Sequence, residues 1–296
     1  MLPALFLFAS LVTDVRGLID RHDFAGAERT VRIYRDRTGA TSELAAALSW
    51  LARGALDAKR YDQAEAYAAE TRKLALELLG TRQLDGDRWL PTALGASIEV
   101  HAQALAARGE RPEAIAFLRQ QLALFRATSL NERIRKNINL LTLEGKPAPP
   151  LEENDWLGPK PAALAALRGH PVLLFFWAHW CPDCKAEAPV LASLRNIYGP
   201  KGLALVGPTR LYGFAAGGEQ AAPAAEKQYI DKVRRQYYAA LADMPVPLSA
   251  ANFLAYGAST TPTLILLDRA GVVRFYHPGA ASEVELSVRI QAILRE

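Results

Sequence analysis

Cys181 and Cys184 are the entire cysteine content of this 296-residue chain. They stand three apart, with Pro182 and Asp183 between them, so a helical segment would hold the two thiols within disulfide reach. Thiols so paired can exchange disulfides: one thiolate attacks a substrate disulfide, and the second releases the mixed species. Two other uses of the pair are open. A purely structural bridge around so short a loop would stabilise little. Metal binding through Cys181, Cys184 and His179 would offer two thiolates and one imidazole, without the second cysteine pair of a structural zinc site. Two cysteines also exclude a small disulfide-stapled scaffold.

The flanking residues set the elements that must carry this chemistry. Pro171–Trp177 reads PVLLFFW, a continuous apolar run rich in strand formers, and predicts a central strand covered on both faces. Lys185–Tyr198 reads as a helix, so Cys181 opens it. Unpaired N–H groups and the helix dipole at that position favour a thiolate. Cys181 is therefore expected to be the exposed, attacking sulfur, and Cys184, one turn on, the resolving one. Pro182 suits a first helical turn because no N–H is needed there. Leu203–Val206 predicts another strand. Leu264–Leu267 and Val272–Tyr276 predict a hairpin through the Asp268–Gly271 turn. The long connection from Gly207 to Asp243 predicts a mobile Gly/Ala-rich loop around Gly213–Gly218 and then a helix from Glu226 to Leu241. His179 is expected to face solvent, where it would tune the thiolate by charge or have no special part. His170 and His277 read as loop residues, and Trp177 as a packing residue.

The segment FWAHWCPDCK, Phe176 to Lys185, resembles the thioredoxin active-site segment. Pro189, five residues past Cys184, matches the proline that kinks the active-site helix of that fold. More narrowly, the chain is similar to the TlpA/ResA group of extracytoplasmic thiol–disulfide oxidoreductases. The likeness is carried by Gly145–Pro149, Leu167–Leu174, Cys184–Pro189 and Thr261–Gly271, and it covers about residues 146–296. It implies an α/β thioredoxin fold and dithiol–disulfide exchange on disulfide-bearing protein substrates, in the reductive direction. It also implies a periplasmic or cell-envelope setting and electrons from a membrane thiol–disulfide donor, with no cofactor and no metal. Cys181, Cys184 and Glu187 are the implied catalytic residues. Trp180, Pro182, Thr261 and Pro262 are the implied substrate-contacting ones, with a cis Thr261–Pro262 peptide beside the cysteines. One departure matters: where thioredoxin carries a buried acid two positions before the first tryptophan, this chain has Phe175. Glu187, three residues after Cys184, is then the group expected to take the proton of Cys184. The alternative is a solvated Glu187 paired with Lys185 or Arg195. The peroxiredoxin pattern Pro-x-x-x-Thr-x-x-Cys is absent.

The first half reads differently. From Asp14 to Leu143 proline is nearly absent, strand signals are lacking, and apolar residues recur at three and four, as in Leu44, Leu48, Leu51 and Leu56. A local pattern repeats at Asp23–Glu28, Tyr61–Glu65 and, more weakly, Gly109–Ala114. Each copy sets a turn before a small residue, Ala27, Ala64 or Ala114. This resembles tetratricopeptide (TPR) repeats, with Trp50, Ala58, Tyr61 and Ala64 the best copy, although the spacings are irregular. The chain is thus expected to hold an all-α TPR-like domain over 14–144 and a thioredoxin-like α/β domain over 145–296, joined by the proline-rich stretch Leu143–Pro150. The helical domain would hold a protein ligand in a groove or simply pack as a bundle. A rival class for the whole chain is a binding module in which the thioredoxin fold is only a platform. His22 and His101 read as surface or packing residues.

Residues 2–12, LPALFLFASLV, have the length of a signal-peptide core, and 1–13 reads as an export signal or its remnant, despite the absence of a basic residue before Arg16. The other reading is a buried helix running on through Val15 and Ile19. With 35 basic and 31 acidic residues spread along the chain and a net charge of +4, no nucleic-acid partner is expected.

Overall fold

Alanine and leucine at helical spacing, with side chains small enough for close approach, build the first half. The computed structural model describes residues 10–80 and 82–295. Among the described residues seven α-helices fill the first half: α1 (Leu11–Asp20), α2 (Phe24–Thr38), α3 (Ser42–Asp57), α4 (Tyr61–Leu79), α5 (Leu90–Ala107), α6 (Arg111–Leu124) and α7 (Leu130–Thr142). Ser10, Asp23 and Thr41 cap α1, α2 and α3 by accepting backbone N–H bonds. From α1 to α6 each helix packs on the next, and α3 also packs on α1 and α5. Residues 1–9 of the apolar run read above as an export signal lie outside the described residues. Leu11, Val12 and Val15 are buried on α1.

The three repeated segments turn out to be one turn used three times. His22, Lys59 and Gly109 adopt φ of 62°, 59° and 90°. In each turn the following N–H reaches back five residues: Asp23 to Leu18 at 2.9 Å, Arg60 to Ala55 at 2.8 Å and Glu110 to Leu105 at 3.0 Å. This is the Schellman closure, which satisfies carbonyls left open at a helix end. Ala27, Ala64 and Ala114, each in the helix that follows, are fully buried.

The second half is built on a four-stranded sheet of order β3–β2–β5–β6. Its strands are β2 (Val172–Phe176), β3 (Ala204–Val206), β5 (Thr263–Leu267) and β6 (Val273–Pro278), and only β2 and β3 run parallel. A separate short pair joins β1 (Trp156–Leu157) to β4 (Val246–Pro247). The period of two along β2 divides the core. Leu173 and Phe175, with Trp177 beyond, face α8 (Pro182–Tyr198), α9 (Pro223–Tyr237) and α11 (Glu283–Arg295). Val172, Leu174 and Phe176 face Phe253 and Tyr256 of α10 (Ala250–Tyr256). Asp268 holds the β5–β6 turn by accepting from the N–H groups of Ala270 and Val272, both at 2.9 Å.

The contacts divide the chain into the units Met1–Asn137 and Ile138–Glu296, with the division inside α7, a few residues before the expected 144/145. The cause is that the proline-rich stretch is built into the second unit. Leu143 and Leu151 lie in its core. Gly145 N–H donates to Val273 O at 2.8 Å, Val273 N–H to Lys146 O at 2.9 Å, and Ala148 N–H to Gly271 O at 2.9 Å.

The shared turn yields a paired test. Lys59 carries a side chain in the left-handed region, which costs about 1–2 kcal/mol relative to a residue without Cβ. Lys59→Gly is expected to stabilise the helical unit by up to about 1 kcal/mol, after the entropy of glycine is counted. Gly109→Ala, whose Cβ would meet nothing within 4 Å, is expected to destabilise it by about 1 kcal/mol for backbone reasons alone. Urea unfolding followed by circular dichroism reads both, and shifts of the same sign would contradict the shared-turn account.

Candidate active site

The chain leaves β2 through Ala178–Trp180 and enters α8 at Cys181, which is its N-cap. Cys181 and Cys184 form a disulfide with a Cα–Cα separation of 5.3 Å. The Cys184 N–H points at Cys181 Sγ at 3.1 Å, so one of the open donors at the helix start is spent on sulfur. Across from it, Thr261 O lies 3.3 Å from the same sulfur, and the Thr261–Pro262 peptide is cis. Gly279 N–H donates to Pro262 O at 2.8 Å and ties this loop to the end of β6. Pro182 and Asp183 are exposed at the helix start, Thr261 is half-buried, and Pro262 is buried. Cys181 was expected to be exposed; in this disulfide form it is 2% exposed and Cys184 is fully buried. Trp180, 47% exposed, is the large apolar side chain open to solvent beside the pair.

Glu187 is buried one turn past Cys184, with Oε1 lacking a hydrogen-bond partner. Burial pushes its carboxyl pKa up, and the Ala281 backbone N–H opposes this only in part. The two cations of the solvated alternative are engaged elsewhere. Lys185 lies over the Tyr237 ring at 4.8 Å, and Arg195 pairs with Asp243. Phe175 fills the place of the missing strand acid and meets Tyr238 edge-on at 5.8 Å. The Tyr238 hydroxyl is buried without a partner, and its pKa is driven up by burial and by the Glu187 charge.

His179 is not solvent-facing: it is 1% exposed. The rings of Phe214, Tyr229 and Tyr212 surround it, with centroids 5.3, 5.5 and 5.6 Å away. Burial depresses its pKa, against a smaller upward pull from Glu226. The Gly/Ala-rich segment expected as a mobile loop is a small hairpin. Phe214 bridges Gln220, and Ala215 N–H donates to Glu219 O at 2.8 Å. Its base is fixed by buried Glu226, which accepts from the N–H groups of Tyr212 and Gly213. Tyr212 in turn meets Trp180 edge-on at 5.6 Å. Tyr212, Phe214, Tyr229 and Glu226 were not picked out from sequence; they come from the far side of the long connection, and no local spacing links them to His179. Among the described residues, no group of three or more His, Cys, Asp or Glu side chains could hold a metal ion.

The second unit is similar to known proteins over most of its length. Residues 143–289 match the Redoxin family model. The thiol:disulfide interchange protein DsbE of Xylella fastidiosa is 30% identical over 158 residues, which are 52% of this chain and 71% of that protein. Its counterpart from Pseudomonas fluorescens is 31% identical over 156 residues, 51% of this chain and 78% of that protein. The chain belongs to the thioredoxin-fold thiol–disulfide oxidoreductases. A solved thioredoxin-like superfamily protein, 24% identical with a TM-score of 0.42, aligns over 51% of the oxidoreductase and 98% of its own chain. These matches cover about half of the oxidoreductase. No helix among its described residues is long and apolar enough to cross a membrane.

The buried imidazole gives the oxidoreductase a signed pH dependence. A histidine with a depressed folded pKa binds fewer protons folded than unfolded, so stability falls as pH drops below its ordinary value of 6.5. His179→Phe, which keeps an aromatic ring in the cluster, is expected to flatten that acid limb between about pH 7 and pH 5. Urea midpoints of both proteins across this range check it; identical slopes would mean that His179 titrates freely.

Proposed function

We propose that Cys181 and Cys184 are the redox couple of a reductase acting on protein disulfides. The observation that carries the reading is the placement of the pair at the start of α8, with the Thr261 carbonyl 3.3 Å from Cys181 Sγ. In the reduced enzyme the Cys181 thiolate attacks a substrate disulfide. That bond breaks, one substrate thiolate leaves, and a mixed disulfide forms on Cys181. Cys184 gives its proton to Glu187 and attacks Cys181 Sγ; the second substrate thiolate departs and the Cys181–Cys184 disulfide closes. Trp180 and Pro182 flank the approach, and the Thr261–Pro262 backbone offers an edge to an extended substrate. Re-reduction then needs a dithiol donor, which we place at the membrane of an extracytoplasmic compartment by the TlpA/ResA likeness. The helical unit is read as a TPR-like array that recruits a protein partner, supported by its thrice-used turn and by the packing of α3 on α1 and α5.

Insulin reduction driven by dithiothreitol is expected for the intact chain and absent in Cys181→Ser. Iodoacetamide at mildly acidic pH should label Cys181 before Cys184 in the reduced protein. Preferential labelling of Cys184 would overturn the assignment of the attacking thiol.

Glu187→Gln is expected to slow resolution of a model mixed disulfide by roughly ten- to a thousand-fold, the upper part of that range matching typical general-base contributions. Stopped-flow turnover reads this, and an unchanged rate would leave water as the proton acceptor. Stability gives an independent reading. A carboxyl whose folded pKa is raised stabilises the fold in its protonated form, fully below the ordinary 4.5, and that contribution is lost as pH rises through the folded value. The variant should lack this loss, so its stability relative to wild type should increase from acid to neutral pH.

A further inference from the structure

The odd-numbered helices of the first unit bring a set of cations around one carboxylate. Glu99 on α5 accepts from Arg133 Nε at 3.0 Å and pairs with Lys136, both on α7. Gln103, four residues along α5, donates to Asn137 at 3.1 Å. On α3, the Arg53 guanidinium lies over the Trp50 ring at 4.6 Å, and Arg16 of α1 lies over the same ring at 5.0 Å. Among the described residues Arg53 has no ion pair and no hydrogen bond, and the Trp50 indole N–H is buried without an acceptor.

The charges on this face do not balance. Arg133 and Lys136 overcome the burial of Glu99 and hold its pKa at about 2, so its negative charge is committed to α7. Burial, and then the proximity of Arg133, brings Arg53 down to about 10. Glu99 and Asp57 act on Arg53 in the opposite sense, and Asp57 is exposed and makes no ion pair with it. Arg16 has only the exposed Asp20, at 3.8 Å. Arg53, Arg133 and Lys136 therefore face one buried carboxylate, and Arg16 stands exposed beside Arg53 on the Trp50 ring. Partly desolvated charge without a partner is costly, and an incoming anion relieves that cost.

We propose that this face of α1, α3, α5 and α7 binds an acidic segment of a partner polypeptide, with carboxylates of that segment on Arg53 and on Arg16 beside it. A planar guanidinium suits a carboxylate by forming two parallel hydrogen bonds. A nucleic-acid strand fits less well. Phosphate tracking needs a longer run of cations, and the one indole here is already covered by two guanidinium groups. The proposal deepens the reading of the helical unit as a recruiting array and is independent of the disulfide chemistry.

The test titrates the full-length protein into fluorescein-labelled hexaglutamate and hexaglutamine and follows anisotropy. Hexaglutamate is expected to bind at least about tenfold more tightly than hexaglutamine, and salt should weaken it. Arg53→Gln should cost about tenfold, the worth of one charge-assisted contact. Arg29→Gln, on the exposed side of α2, should cost nothing. Arg16→Gln, which removes the exposed guanidinium over the same ring, should cost about two- to tenfold and serves as a second variant should Arg53→Gln fail to fold. Equal binding of the two peptides, wild-type affinity in both folded variants, or displacement by single-stranded oligothymidylate at lower concentration than by unlabelled hexaglutamate would overturn the site. The recruiting reading fails by a separate result: Arg53-dependent hexaglutamate binding, but no lower KM for a disulfide peptide with a hexaglutamate tail than for one without. That outcome supports the site and removes the recruitment.

Discussion

The Cys184 N–H directed at the Cys181 sulfur sets what the rest of the second unit has to do. A helix start has donors to spare, and here one of them is used on sulfur. The arrangement works only if the strand before it ends at a fixed point. Burial on both faces gives β2 that rigidity, since any slip in its register would turn the rows of Phe175 and Phe176 toward the wrong layers. The loop from β5 then needs only to stay close. Hydrogen bonding of Pro262 O to Gly279, and of Thr263 Oγ1 to Thr260 O at 2.6 Å, keeps Thr261 facing the pair.

Phe175 and Glu187 meet around Tyr238. An apolar ring at the strand position allows Tyr238, Trp177 and Phe175 to pack as one aromatic layer, with Trp177 4.9 Å from Tyr238. The ionisable group of this region sits instead on α8, behind the buried cysteine. The aromatic layer and the carboxyl share a low-dielectric site, so the Glu187 proton is held more tightly than in water.

Local features were the legible ones. The run PVLLFFW, the cysteine spacing, Pro182 at the helix start and the Asp268–Gly271 turn all act through neighbours in sequence, and β2, α8 and the β5–β6 hairpin follow from them. The three Schellman turns were visible as repeated letters, although not as one geometry. The environment of His179 was not legible. Its walls come from residues 212, 214 and 229, and their convergence depends on Glu226 gripping two backbone amides, a contact with no periodic signature. The pairing of the proline-rich stretch was hidden for a related reason: prolines suggest a linker, yet the amides and carbonyls around them can still pair with a distant hairpin. The burial of Cys181 is likewise a product of the loops around it rather than of its place on the helix.

The stretch from Gly145 to Ala148 also settles how the sheet avoids sticking to itself. Sheets with bare edges invite pairing with other chains. At one border β3 is only three residues long. At the other, the first residues of β6 are already occupied by Gly145 and Lys146, Pro147 stands opposite Val272 with no N–H to offer, and Pro278 closes the strand. A proteolytic fragment beginning after Pro150 would lose that cover and present the start of β6 to its neighbours. A fragment beginning at Ile138 would keep it, so these two cuts differ in whether the start of β6 stays paired within its own chain.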